Sequence, residues 1–384
     1  MKRAGRREYR FGFILSTTIG NQTHYLNLRK FVLKDPEVDS WWVGVNHGAT
    51  PRAERVLGFL PRPLALRVWI LHQILPALQR LGGSDAVMIH QFEAEIICAL
   101  RSHLTRRPLI VSSTDEAPAD AHEDYPIYPG HLHKSARRRA FRLSLDRWRA
   151  RRSDLLIPFT DWAAALFHRN ADVDQGKVVS IHVGVDLDIW TPPEPVERSP
   201  GQPGKILFVG TDFERKGGDL LLSVFGERFA DVAELHMVTS QRPDHAQRNV
   251  HVHTGLTPND PRLVKLYADC DMLVLPTTAD LAPWALIEAM AMGRPCIATD
   301  IGAVSEVIDD GATGFVIPVN DAAALEEKIR WLLHDPGLAR DMGRRGRLKV
   351  EREYDAARNV PRILAAMKAL VDRQRSAEHR ARTS

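Results

Sequence analysis

The chain has 384 residues, 44% hydrophobic and 26% charged, a balance that belongs to globular proteins and excludes a disordered or collagen-like one. That length calls for two domains of roughly 180 residues each, and no apolar run reaches the ~18–20 residues of a membrane-spanning helix. The net charge of +4 favours anionic ligands without naming one; with no zinc spacing, aromatic–basic run or helix-turn-helix, nucleic acid is not an expected partner.

In chain order, the apolar stretch Phe11–Leu15 is too short for the core of a secretory signal and reads as part of a first strand, Arg10–Leu15. A Thr-Thr-Ile-Gly-Asn loop and a helix over His24–Lys34 follow. Asp39–Val45 is a second strand, and Pro51–Leu60 and Leu64–Leu81 are helices broken by Pro61 and Pro63. Strands are expected at Ala86–Ile89, Pro108–Ser112, Asp154–Pro158 and Lys177–Ile181, with helices at Glu93–Leu104 and from Asp161. Thr114–His133 has no regular pattern. Alternation of this kind implies βαβ units and a largely parallel sheet.

Residues 191–204, TPPEPVERSPGQPG, carry five prolines and no apolar periodicity, so they read as a linker after a first domain of residues 1–190. The same alternation restarts over 205–355. Strands are expected at Lys205–Val209, Glu234–Val238, Val250–His253, Met272–Pro276, Pro295–Ala298 and Phe315–Pro318. Helices are expected at Asp219–Phe229, Pro261–Ala268 and Pro283–Met292, then from Asp321, Pro336 and Ala356. The last, residues 356–384, is a terminal helix that may be read as returning to the first domain. The fold class is therefore α/β, two Rossmann-like domains with a ligand cleft at their strand C-terminal ends. Cys98, Cys270 and Cys296 are odd in number and widely spaced, which argues for a reducing cytoplasm.

Two stretches carry candidate chemistry. After the strand Ile206–Val209, Arg215-Lys216-Gly217-Gly218-Asp219 opens a helix. Glycines let backbone approach a phosphate, the helix N-terminus offers N–H donors and Lys216 adds a full charge; the plain alternative is a solvated βα turn. It is not a Walker A loop. In TTADLAPWALIEAMAMGRPCIAT, Thr277–Thr299, Asp280 and Glu288 flank a helix mouth with Pro283 in its first turn. Glu288 lies in an apolar helix, where an unpaired charge is costly, so it should meet a polar partner or a ligand; two neighbouring ribose hydroxyls suit it.

These stretches, FVGTDFERKGGDLLL and LVLPTTADLAPWALIEAMAMGRPCIATDIGAVSEVIDDGATGFVIPVND, with VVSIHVGVDLDIWTP before them, resemble the retaining GT-B-fold glycosyltransferases of family 4, the glycosyl transferases group 1. In that family an acidic pair at i and i+8 brackets the donor loop. The resemblance implies that Glu288 holds the donor ribose, that Asp280 contacts the donor sugar, and that Lys216 with Arg215 neutralises the diphosphate. Backbone amides near Trp284 and Ala285 would assist. It implies a hexose donor bound as a nucleotide-diphosphate sugar, a glycan, lipid-linked or small-molecule hydroxyl acceptor, no cofactor and no metal. The chain departs from the family at Asp280, where Glu is usual, at Ala282-Pro283-Trp284, where the loop usually contains glycine, and at Thr211, where arginine is common. These departures make a catalytically silent nucleotide-sugar-binding or membrane-surface subunit one alternative; the enzyme alternative is a GT-B-fold nucleotide-sugar epimerase, which would need its own acid–base residues around the nucleotide site.

In the first domain, Gly20 in the loop after the first strand would allow close backbone approach to donor phosphates. Asp115 ends a strand where relatives carry a histidine facing the donor sugar, and it could move a proton. His90 ends a neighbouring strand; Gly184 and Asp186 read as a structural turn. Residues 134–153 hold nine basic residues and one acid, with Phe141, Leu145 and Trp148 at helical spacing. That stripe either packs on the sheet, the simpler reading, or lies on an anionic membrane at the inner face.

Overall fold

Five strands build the first sheet: β1 (Tyr9–Ser16), β2 (Val38–Val45), β3 (Ala86–His90), β4 (Leu109–Thr114) and β5 (Leu155–Pro158). They pair in parallel in the order β2-β1-β3-β4-β5. Both faces are covered, which is why β3 and β4 are buried at every position instead of alternating. The computed structural model describes all residues except 1–7, 48–56, 58, 61, 102–106, 116–135, 171–172, 195–200, 241–246, 282 and 384.

Helices α1 (Ile19–Val32), α2 (Arg62–Ile74), α3 (Leu78–Leu81), α4 (Gln91–Leu100), α5 (Ala136–Arg152) and α6 (Asp161–Asn170) occur along this part of the chain. Two expectations need correction. The helix expected over Leu64–Leu81 breaks at a 3₁₀ turn, Leu75–Ala77, because Pro76 has no N–H to continue the α ladder. Lys177–Ile181 is not a strand: only Val178 bridges to Leu156, with single N–H bonds from Val179 to the Leu156 carbonyl and from Ile181 to that of Pro158. Pro51–Leu60 and Thr114–His133 lie mostly outside the described residues.

The second sheet contains β6 (Gly204–Val209), β7 (Ala233–Val238), β8 (Val250–His253), β9 (Met272–Leu275), β10 (Cys296–Thr299) and β11 (Gly314–Ile317). Its order is β11-β10-β9-β6-β7-β8, again parallel. Helices α7 (Gly218–Arg228), α8 (Pro261–Asp269), α9 (Trp284–Ala291), α10 (Val304–Val307), α11 (Ala322–His334) and α12 (Pro336–Glu353) accompany it, and α13 (Ala356–Thr383) follows. Asp260, Asp321 and Asp335 cap α8, α11 and α12 through side-chain oxygens, each satisfying an otherwise orphan N–H.

The chain divides into two compact units. One holds the first sheet, Ala136–Gly184 and α13; the other is Val185–Asp355. The division falls between Gly184 and Val185, ahead of residues 191–204. Val185 belongs with the second unit because its N–H donates to the Tyr354 carbonyl at 2.9 Å. In the first unit, α13 supplies Val360, Ile363, Leu364, Met367 and Val371 to the core formed with Phe11, Phe13 and Val111. Among the described residues no helix is long and apolar enough to cross a membrane.

Candidate functional site

In the second sheet the strand order reverses between β6 and β9, so their C-terminal ends diverge into loops on either side of one point. Open parallel sheets bind ligands at such reversals. The loop after β6 carries Arg215 and Lys216; the loop after β9 carries Asp280.

Gly217 joins the two loops. It sits at φ 79°, and a Cβ there would lie 2.0 Å from the Pro276 carbonyl oxygen at the end of β9. Only glycine allows both the left-handed turn and this approach. The Arg215 carbonyl then accepts from the Thr278 N–H at 2.9 Å and from the Thr277 and Thr278 hydroxyls, each at 3.1 Å. The Arg215 guanidinium donates to the Ala279 carbonyl at 2.6 Å and to Asp212 at 2.9 Å.

Lys216 forms a hydrogen-bonded ion pair with Asp280, and both side chains are largely buried. The cation and acid that the sequence places sixty-four positions apart thus meet directly. Asp280 also accepts the Leu281 N–H at 3.0 Å. Gly302, in the loop after β10, closes the far side: at φ 57°, its Cβ would lie 2.2 Å from the Asp280 carbonyl oxygen. Gly302 was not singled out from the sequence. Its signal was a glycine directly after a strand in Thr299-Asp300-Ile301-Gly302.

Helix α9 begins at Trp284, with Pro283 as its N-cap in extended conformation, not inside the first turn. Trp284 and Ala285 are therefore its first two helical residues, both half-buried. Amides at this position point along the positive end of the helix dipole. Ala282 lies outside the described residues.

Glu288 is 5% exposed on α9. Burial pushes its carboxyl up to about 7, opposed by the hydrogen bond from Tyr267. The Tyr267 hydroxyl donates at 2.9 Å, and its own pKa is raised by burial and by the neighbouring carboxylate. Tyr267 packs edge-on against Trp190, whose indole N–H reaches Asn259 at 3.1 Å. Tyr267 was missed as a partner; its sequence signal was only the Leu263–Tyr267 spacing on the buried face of α8.

The remaining candidates lie in the first unit, except Asp186, which lies just inside the second. Asp115 follows β4, with its carboxylate 3.8 Å from the Nε2 of His90 at the end of β3. His90 is buried and stacks on Phe159 with centroids 5.8 Å apart; burial lowers its pKa to about 4, so it is neutral at pH 7. Gly20 is in the first turn of α1, and a Cβ there would meet nothing within 4 Å. Asp186 is buried and accepts the Asp188 N–H, a turn contact. On α5 the expected stripe divides: Phe141 is 67% exposed, whereas Trp148 packs with the core of Ile89, Ile97 and Ile110.

Residues 194–349, which include Arg215, Lys216, Tyr267, Asp280, Trp284 and Glu288, match the model of the family described as glycosyl transferases group 1. Those residues are similar to the group 1 glycosyltransferases. Outside them the chain is matched by fold. The chain superposes on sucrose-phosphate synthase from Thermosynechococcus elongatus with a TM-score of 0.73, covering 94% of this chain and 99% of that one at 17% identity. Anabaena HepE, solved in complex with UDP-glucose, gives 0.66 over 93% and 100% at 13% identity. These likenesses establish the GT-B fold class. Among curated relatives, N-acetyl-alpha-D-glucosaminyl L-malate synthase of Bacillus anthracis is 31% identical over 115 residues, 29% of this chain and 30% of that enzyme. The chain spans about a quarter to a half of the length of the curated relatives it matches.

Proposed function

We propose that this protein is a retaining glycosyltransferase that moves a hexose from a nucleotide-diphosphate sugar to a hydroxyl of a glycan, lipid-linked or small-molecule acceptor, without a metal. The observation that carries the reading is the Lys216–Asp280 pair at the β6/β9 reversal, with Arg215 beside it and the α9 N-terminus adjoining Asp280 in sequence. The UDP-glucose bound to the similarly folded HepE supports a nucleotide-sugar donor.

In this reading Asp280 neutralises Lys216 until the donor arrives. The diphosphate then takes Lys216, and Asp280 turns to the sugar hydroxyls. Glu288 accepts the ribose hydroxyls, with Tyr267 holding its other side. The C1–oxygen bond to the diphosphate breaks while the acceptor oxygen bonds to C1 from the same face. The acceptor proton passes to the leaving diphosphate oxygen, whose developing charge Lys216, Arg215 and the amides near Trp284 and Ala285 stabilise.

The test is release of nucleoside diphosphate from a panel of uridine, guanosine and adenosine diphosphate sugars, in excess EDTA, with and without hydroxyl acceptors. Release that Lys216→Ala lowers by on the order of 10²–10³-fold supports the transferase. Binding without release identifies the silent subunit, and a changed sugar still on its nucleotide identifies the epimerase.

A peripheral contact with anionic lipid through 134–153 has one observation in its favour, the exposed Phe141 on an arginine-rich helix. Co-sedimentation with phosphatidylserine vesicles at low salt, lost in Phe141→Asp, supports it; no co-sedimentation of the unaltered protein rejects it.

A further inference from the structure

At the edge of the second sheet, away from β11, four metal-capable side chains share one face of β7 and β8. Parallel register sets His236 directly beside His251 and Val238 beside His253. Glu234 lies two residues before His236 and His253 two after His251, so strand periodicity brings all four to the same side. The His236 ring stacks on His251 with centroids 4.8 Å apart and on His253 at 5.4 Å. His236 Nδ1 is 3.1 Å from His253 Nε2, and His236 Nε2 is 3.4 Å from Glu234. One ligand atom from each of Glu234, His236 and His251 falls within a 4.8 Å span.

We propose that Glu234, His236 and His251 bind one divalent transition-metal ion of the zinc type, with His253 holding the other ring nitrogen of His236. Imidazole nitrogens with one carboxylate are a zinc donor set, and ligands about 2.0–2.1 Å from the ion stand about 3.3 Å apart, within reach of small rotamer changes here. The three imidazoles stack with no apolar residue between them. The ion would clamp the edge strand β8 onto β7. The site takes ligands from two strands, so its linear traces are only the short Glu234-Leu235-His236 and Val250-His251-Val252-His253 alternations. It is separate from the donor site and does not depend on the transferase reading.

The experiment is calorimetric titration of zinc chloride into chelator-stripped, untagged full-length protein, with cobalt(II) absorption as a second probe. One equivalent should bind, raise the melting temperature and give the intense visible bands of a four-coordinate cobalt site. His251→Ala, at an exposed position that leaves folding intact, should weaken binding by on the order of 100-fold, and His236→Gln should do the same. The absence of saturable one-to-one binding, or binding unchanged in the His236→Gln/His251→Ala double variant, overturns the proposal.

Discussion

At the scale of single residues, Glu288 sets the cost of the site. An ordinary carboxyl titrates near 4.5, and in the folded chain burial raises Glu288 to about 7. Below pH 4.5 it is protonated in both states and neutral to stability. As pH rises from 4.5 to 7 the unfolded chain ionises first, so the folded state loses stability, about 3 kcal/mol in all, and does not regain it above pH 7. Glu288→Gln keeps an acceptor for Tyr267 and removes the buried charge. It should raise the melting temperature at pH 8 and leave it unchanged at pH 4, while weakening donor binding; equal shifts at both pH values would contradict the burial argument. In the unaltered protein, donor affinity should fall by up to about tenfold per pH unit below 7, because a protonated carboxyl accepts only part of a diol. Asp280→Ala isolates the other pair. It leaves Lys216 largely buried without its counter-ion, which should cost about 3 kcal/mol in chemical denaturation before any donor is added.

At the scale of elements, the turn between β6 and α7 works because of one backbone dihedral. Gly217→Ala would meet the Pro276 carbonyl and a left-handed φ together, and should destabilise the second unit by about 2 kcal/mol or more while detaching Arg215 from the 277–279 loop. Gly20→Ala, in open space, should leave stability within about 0.5 kcal/mol, measured by urea unfolding. Both glycines stand at βα junctions and read alike in the sequence; the packing distinguishes them. Strands were legible wherever burial on both faces made continuous apolar runs, as at Met272–Leu275. Lys177–Ile181 misled because its β-branched residues Val178, Val179 and Ile181 suit a strand while its backbone had a partner for only one bridge. The acidic pair was legible as spacing, but its partners were not. Lys216 and Tyr267 reach Asp280 and Glu288 through sheet topology, and nothing local in the sequence encodes a contact across crossovers.

At the scale of the whole molecule, the same βα alternation serves both units, yet the first unit's core closes only with α13. Removing the chain after Asp355 would strip Val360, Ile363, Leu364, Met367 and Val371 from that core. At roughly 2 kcal/mol each this is on the order of 10 kcal/mol, comparable with the entire stability of a domain. The truncated chain should therefore lose protease resistance in the first unit while Val185–Asp355 survives as a resistant fragment; uniform resistance would show that α13 is dispensable.

That placement of α13 also imposes an order in time. On the ribosome the first sheet emerges well before the helix that covers it, with all of Val185–Asp355 made in between. At about 5–20 residues per second the delay is on the order of 10–30 s. Throughout it the nascent first sheet presents Phe11, Phe13 and Val111 to solvent and to any chaperone within reach. The second unit, contiguous in sequence, can fold while its neighbour waits. A protein whose second unit matures before the first is complete would be most sensitive to chaperone depletion during synthesis, not after it.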